Sequence, residues 1–368
     1  MKSCHTLKIL GGNPLLKRSF KLIGWLIGIV ILLFAALLGY VTVTDYKPQQ
    51  QESLLLRNPQ HKIIEVVRPF TITTMNIGYA GLDAGQDFFM DGGKSSRAAS
   101  EAQVEKNLQT TTELLTELNS DIYLLQEVDV DASRSYSVDQ VAAIQEAFQE
   151  HSSVFALNYK VGWVPVPLFQ PMGKVESGLL NLSKFQITKQ TRYDLPGEEK
   201  WPVQLFELDR AFVELRMPVD NGKELVVLNT HLSAFDKGGE IRKQQLQYLS
   251  NYLKAEAAKN NYIIVGGDWN HALPGTDPNS YGSKQSWPEW LQKLPEDFTP
   301  EGFNWAINGK IPTVRTLDIP YETGTNFMAI IDGFLISSNI EYTSVHTTDN
   351  QFASSDHHAV TATFKLKP

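Results

Sequence analysis

The chain is nearly without cysteine: Cys4 is the only one, so no disulfide can form within it. Neither a zinc cluster nor a thiol nucleophile fits such a sequence, and the fold must hold by packing alone. Internal repeats and long low-complexity tracts are also missing. So is a cluster of basic residues in the larger, C-terminal part. The net charge of -8 over 368 residues hides an asymmetry. Residues 1–21 carry Lys2, Lys8, Lys17, Arg18 and Lys21 with no acid, and Asp45 cancels Lys47. Removing that +5 from -8 leaves -13 from Pro48 onward. An acidic surface does not by itself attract polyanions, so a broad grip on a phosphate backbone is not the first reading. A local site built around a divalent cation stays open.

What is present begins with an uncharged run of 23 residues, Leu22 to Thr44. A helix needs about 20 apolar residues to cross the hydrocarbon layer. A cleaved signal peptide is the rival, but its apolar core is usually about 7–15 residues long, and no clear small-x-small cleavage site follows. The run reads as an uncleaved, single-pass anchor. Cations crowd its N-terminal flank while Asp45, Lys47, Glu52 and Arg57 balance beyond it, which keeps the N-terminus cytoplasmic and the rest outside the cell membrane. The expected organisation is a basic cytoplasmic segment 1–21, an anchor 22–44, a polar stalk 45–60 and a folded domain 61–368.

Strands and helices mix in that domain. Candidate strands are RPFTITTMNIGY, DIYLLQEVD, SGLLNLS, QLFELDRAFVELRM, ELVVLNTHL, YIIVGGD, MAIIDGFLIS and HAVTATFKL. Val104, Leu108, Thr111, Leu115 and Leu118 recur at helical steps, as do Leu246, Leu249 and Leu253. The short PVDNGK turn joins an antiparallel hairpin. Residues 271–326 are rich in proline and glycine, with only SWPEWLQKL helical in pattern. Their aromatics Trp287, Trp290, Phe303 and Trp305 argue for an ordered wall of a binding site.

Polar residues sit repeatedly at the ends of these strands: Asn76, Glu127, His231, Asp268 with Asn270, Asp332, and Asp356 with His357. Asn and Asp at a strand-to-loop junction have an ordinary turn explanation. Glu127 has none, because a carboxylate closing a buried strand is costly unless paired or metal-bound. In the order QE, NTHL, GDWN, SDHHAV, with the strand SGLLNLSKFQI between the first two, the set resembles the endonuclease/exonuclease/phosphatase superfamily over about residues 65–366. These are metal-dependent phosphoesterases that include DNase I-like nucleases, inositol polyphosphate 5-phosphatases and neutral sphingomyelinases. The resemblance implies a four-layer α/β/β/α sandwich of two mixed sheets, preceded here by the transmembrane helix, with the site where strand ends converge.

The resemblance also implies roles. Glu127 is the first choice for binding Mg²⁺, with Mn²⁺ possible, and Asn76 and Asp356 lie close to the same cation. Asp268 orients or deprotonates the attacking water, and Asn270 holds water or a phosphate oxygen. If the GDWN segment is strand-like, positions 268 and 270 face one way and Trp269 the other. Asp332 and His357 form an acid–imidazole pair, His231 bonds phosphate or serves the leaving group, and Glu176 pairs with His231. Which of Asp268 and His357 is the base stays open, and Glu176 has a plain surface reading too. Arg97, Arg134, Arg210 and Arg315 are each able to touch phosphate, none singled out. His271 and His358 read as a loop and a packing residue. The stretch NYKVGWVPVPLFQPMGKV is either a loop folded on the core or an apolar tongue exposing Trp163, Val164, Val166, Leu168 and Phe169 beside the site. The expected function is extracytoplasmic hydrolysis of a phosphate ester, with a lipid-like or membrane-associated diester favoured. A surface nuclease acting on nucleic acid and a non-catalytic binding module are the alternatives. Nothing in the sequence fixes an oligomeric state.

Overall fold

Runs such as LVVL and IIV send successive side chains to opposite faces of a strand, and here both faces are covered. In the computed structural model, residues 14–236 and 238–368 are described. They divide into two units, one ending at Asp45 and one spanning Tyr46–Pro368. The first holds α1, Pro14–Val43. Its part Arg18–Val43 is the one span among the described residues long and apolar enough to cross a membrane, with a mean hydropathy of 2.7. Cys4, Lys2 and Lys8 lie outside the described residues.

The second unit contains, in chain order, β1 Gln51–Ser53, β2 Leu56–Arg57, β3 Phe70–Asn76, α2 Glu101–Leu118, β4 Ile122–Asp129, α3 Gln140–Ala147, β5 Ser152–Val164, β6 Gly173–Ser183, β7 Lys189–Asp194, β8 Ala211–Pro218, β9 Glu224–His231, α4 Glu240–Ala257 and β10 Tyr262–Asp268. There follow β11 His271–Ala272, β12 Gln292–Lys293, β13 Phe303–Ala306, β14 Val314–Arg315, β15 Met328–Ala329, β16 Asp332–Ser337, β17 Ile340–Thr347 and β18 Val360–Leu366. Two seven-stranded mixed sheets result, ordered β1-β7-β8-β9-β10-β16-β13 and β17-β18-β3-β4-β6-β5-β2. Val213, Val227, Ile264 and Phe334 of the first sheet meet Ile72, Leu124 and Leu179 of the second in a shared core. On the outer faces α4 covers the first sheet through Leu246, Leu249 and Leu253. Helices α2 and α3 cover the second through Val104, Leu108, Leu115, Val141 and Ile144. The architecture is the expected four-layer α/β/β/α sandwich.

Connectivity decides where the polar strand ends go. β3 and β4 are parallel, as are β9 and β10, and a parallel pair needs a long crossover, here containing α2 and α4 respectively. The C-terminal ends of β3, β4, β9 and β10 therefore lie at one end of the sandwich. Antiparallel β16 starts there, since Asp332 is the register partner of Asp268.

Four expectations need correction. The segment 45–60 is only partly a stalk: β1 pairs with β7 and β2 with β5, closing one edge of each sheet. SWPEWLQKL forms no helix; it holds turns and β12, and Trp287 and Trp290 pack beside Leu291 and Phe327. The start of QLFELDRAFVELRM is a 3-10 turn, Val203–Phe206, before β8. The tongue is shorter than read, because Asn158–Val164 belongs to β5 and Val164 is buried; Val164 opposes Gly173 across the hairpin.

Candidate active site

The side chains at the strand ends converge on one oxygen, Oδ2 of Asp268. Asn76 Nδ2 donates to it at 3.1 Å, His231 Nε2 lies 3.5 Å away and His357 Nε2 3.8 Å. The same Asn76 nitrogen reaches Glu127 Oε1 at 3.1 Å, while Asn76 Oδ1 accepts the Gly78 amide at 2.9 Å. In this orientation the nitrogen of Asn76, not its oxygen, faces the carboxylates. Expected close to the cation, as a ligand or through its waters, Asn76 stands between the acids Glu127 and Asp268.

Backbone geometry turns two of these residues inward. Glu127 has a φ of 53°, and the register of β4 against β6 shifts between Leu125 and Val128. A bulge of this kind re-aims a side chain, and a left-handed Glu is uncommon enough to mark a functional position. Asn270 follows the end of β10 with a φ of 48°. The strand-like spacing expected for Asp268 and Asn270 is thus replaced by a turn, in which the Asn270 amide donates to Asp268 Oδ1 at 2.9 Å. Asn270 Nδ2 donates to the Leu232 carbonyl at 2.7 Å and keeps a second hydrogen. Trp269 is fully buried against Phe298 and Trp305. Gly267, at φ 147°, brings the backbone close: a Cβ there would stand 2.0 Å from the Thr230 carbonyl oxygen.

His357 Nδ1 is 2.9 Å from Asp332 Oδ2. Thr313 Oγ1 accepts the amides of Ile331 and Asp332, which fixes that acid in place. Burial pulls the His357 imidazole down, but the charges of Asp332, Asp356 and Asp268 outweigh it and raise it to about 10. Burial first, then the Asp332 charge, raise Asp268 to about 7. Burial and the nearby Arg210 hold His231 well below the ordinary imidazole value, so it is a neutral ring. Its Nδ1 is buried without a partner.

Oxygen donors of this kind suit a hard divalent cation. Glu127 and Asp356 sense each other, the charge of Glu127 adding to the burial that raises Asp356. Gly78 leaves room in front of Asp356, since a Cβ there would stand 2.8 Å from its Oδ1. Asp268, Asp332 and His357 also bring three donor atoms within 4.8 Å of one another. We read that trio as an acid–base relay, because the imidazole already bonds Asp332 and hard cations favour oxygen. Glu127 and Asp356 offer carboxylate oxygens of the kind such a cation takes.

Glu176 does not join the site. It opposes Lys160 across β5 and β6, and its carboxylate lies 3.3 Å from Lys174 and 3.7 Å from Lys160. The expected pairing with His231 gives way to these lysines, because cross-strand register decides which side chains meet. Among the arginines, Arg97 donates twice to the Pro171 carbonyl and Arg315 binds carbonyls of Asp83, Gln86 and Thr316. Arg134 forks onto Asp129, stacks 3.9 Å over Tyr79 and points Nη1 at Glu127 from 4.0 Å. Arg210 differs: its Nη1 is buried without a partner, and the charges of Glu127 and Asp268 counter the burial that pulls it down. It lies immediately before β8, at the level where β9 ends, and nothing in the sequence set it apart from the other arginines. His358 packs on Phe352 and His271 is buried with Nδ1 at the Trp269 carbonyl.

Solved structures share this fold. An endonuclease/exonuclease/phosphatase from Beutenbergia cavernae superposes with a TM-score of 0.54 at 18% identity, covering 82% of this chain and 72% of its own. The human Nocturnin catalytic domain with bound sulfate gives 0.50 at 15% identity, covering 85% and 98%. D. rerio TDP2 complexed with a single-strand DNA product gives 0.51 at 13% identity, covering 81% and 99%. No curated protein matches the chain by sequence. The model of the Endonuclease/Exonuclease/phosphatase family matches residues 90–357, the span that carries Glu127, His231, Asp268 and His357, and the chain is a member of that family of phosphate-ester hydrolases.

Proposed function

We propose that the chain is a phosphodiesterase held at the outer face of the cell membrane, acting with Mg²⁺ or Mn²⁺ on a lipid-like or membrane-associated ester. Enzymes of this family depend on a divalent metal, and a cation held by Glu127 and Asp356 would neutralise charge on the phosphoryl oxygens. Asp268 accepts a proton from the attacking water, which Asn270 helps to orient with its remaining amide hydrogen. Arg210 and neutral His231 bind phosphoryl oxygens, Arg210 through the Nη1 that lacks a protein acceptor. His357, held as the imidazolium by Asp332, delivers a proton to the leaving oxygen. The convergence of Asn76, His231 and His357 on one carboxylate oxygen of Asp268 carries this reading.

Location rests on two sequence properties: the apolar helix and the five cations N-terminal to or at its start. The substrate preference rests on that anchor, on the charge of -13 beyond it and on the apolar hairpin tip. A nuclease activity is the second reading, favoured by the likeness to D. rerio TDP2 with its single-strand DNA product. The test assays the full chain with Mg²⁺, Mn²⁺ or EDTA against vesicle-borne phosphodiesters, single-stranded and duplex DNA, and soluble phosphate esters. Metal-dependent turnover of the vesicle-borne ester is expected. Degradation of DNA with the lipids untouched replaces it with the nuclease reading. No EDTA-sensitive hydrolysis of any ester overturns both.

A further inference from the structure

Most large apolar side chains left exposed in the second unit belong to the catalytic end of the sandwich. At the tip of the β5–β6 hairpin Leu168 is 80% and Phe169 99% exposed, and the loop between β7 and β8 adds Trp201 at 60%. Val203 and Phe235 are exposed as well, the latter four residues past His231. Strand direction places these loops together. β6 runs antiparallel to β4, with Ser177 opposite Asp129, so the four residues from Glu176 back to Gly173 carry the hairpin about 13 Å beyond the end of β4. Ala211 starts β8 at the level where β9 ends, so the loop before it lies at that end too. The two loops brace one another: Phe206 and Leu208 pack on Tyr159, Val161 and Met172, and Tyr159 donates to the Phe206 carbonyl at 3.0 Å. At the opposite end Leu55, Ile63, Val67 and Tyr342 are exposed, less so on the whole than the hairpin tip.

The chain also enters the second unit at the catalytic end. Asp194 pairs with Ala211, and Gln51 of β1 pairs with Tyr193. Gln50 is tied to Asp194 by two bonds, its carbonyl accepting the Asp194 amide at 3.0 Å and its Nε2 donating to the Asp194 carbonyl at 2.9 Å. Tyr46 lies under the Arg192 guanidinium at 6.0 Å. Helix α1 ends at Val43, so only Thr44 and Asp45 intervene.

We infer that the catalytic end of the domain is a bilayer-docking surface, with Leu168 and Phe169 of the hairpin tip and Trp201 of the neighbouring loop seated among lipid chains and the site opening toward the head groups. Rings and branched chains on bare loops gain by entering the apolar layer, and Trp suits its boundary. The membrane that α1 can cross is the occupant nearest to that end by chain connection. Arg97, bonded twice to the Pro171 carbonyl, holds the tip in place for insertion. This surface deepens the reading of a membrane-borne ester and rests on it.

The test uses the full chain with Cys4→Ser, reconstituted in phosphatidylcholine–phosphatidylglycerol vesicles. A nitroxide is placed at Phe169→Cys, Trp201→Cys or, as the remote control, Ile63→Cys, and its collisions with oxygen and with a water-soluble nickel chelate are measured. Labels at 169 and 201 should favour oxygen and the label at 63 the chelate. Chelate access at 169 and 201 equal to that at 63 overturns the inference, and so does shielding from both reagents, which is the mark of a protein contact. In a second arm Leu168→Ser with Phe169→Ser should lower the ratio of vesicle-borne to soluble ester turnover by at least about tenfold, a lower bound for two apolar side chains leaving the lipid. An unchanged ratio counts against docking. If the unsubstituted chain hydrolyses no ester, the proposed function fails while the label depths still decide the surface.

Discussion

Asp268 must give up its proton to accept one from water, and His357 must keep its own to donate it. With Asp268 raised to about 7 and His357 to about 10, kcat/KM should climb through the first value and fall through the second. Asp268→Asn should cost about 10²–10⁴ in turnover and abolish the acid limb, a limb that survives belonging to another group. Stability has the opposite slope. A raised carboxyl binds its proton more tightly folded than unfolded, so its contribution is full below the ordinary 3.8 and lost as pH rises through about 7. In metal-free protein, thermal melts of Asp268→Asn should therefore fall less over that window than those of the unsubstituted chain. Arg210→Ala should lower kcat/KM by about 10²-fold, as losing one donor to a developing charge does, with Arg210→Lys between them. Equal kinetics would remove Arg210 from the phosphate. The residue types at the strand ends were legible because each interrupts an apolar alternation. The Asn76 amide orientation, the left-handed turn at Glu127 and the lysine partners of Glu176 were not, since each depends on a neighbouring strand.

The elements that carry the site tolerate little displacement. Gly267 sits where the β10 backbone meets the Thr230 carbonyl in the adjacent parallel strand. Gly267→Ala should cost about 1–3 kcal/mol from backbone strain alone, read as a lower melting temperature, with activity lost as β9 and β10 separate. A melting temperature within a degree of the original would show that the strands part cheaply. Helix α4 is held at its start by Asp236, whose Oδ2 accepts the amides of Ile241 and Arg242. It lies directly after the His231 loop, so the cap also fixes the exit of β9. Long apolar strands and helical steps were readable from sequence in these elements. The extension of β5 through Lys160 to Val164 was not, because prolines at 165, 167 and 171 resemble a loop until the turn is seen to contain them all.

Across the whole molecule, both sheets use residues that composition marked as linker. β1 and β2 are short and polar, and only their pairing with β7 and β5 reveals them. A chain beginning at residue 61 should thus be less stable and more prone to aggregate than one beginning at residue 46, because it bares an edge of each sheet. Comparable melting and light scattering for the two would show the edges to be dispensable. The site strands β3, β4, β9, β10 and β16 all lie inside their sheets, whereas β1 and β2 are the outermost strands on their sides. Tension applied to the polypeptide ahead of Tyr46 would reach those two margins first. They would yield as a mechanical fuse, peeling away while the hydrolytic centre kept its shape.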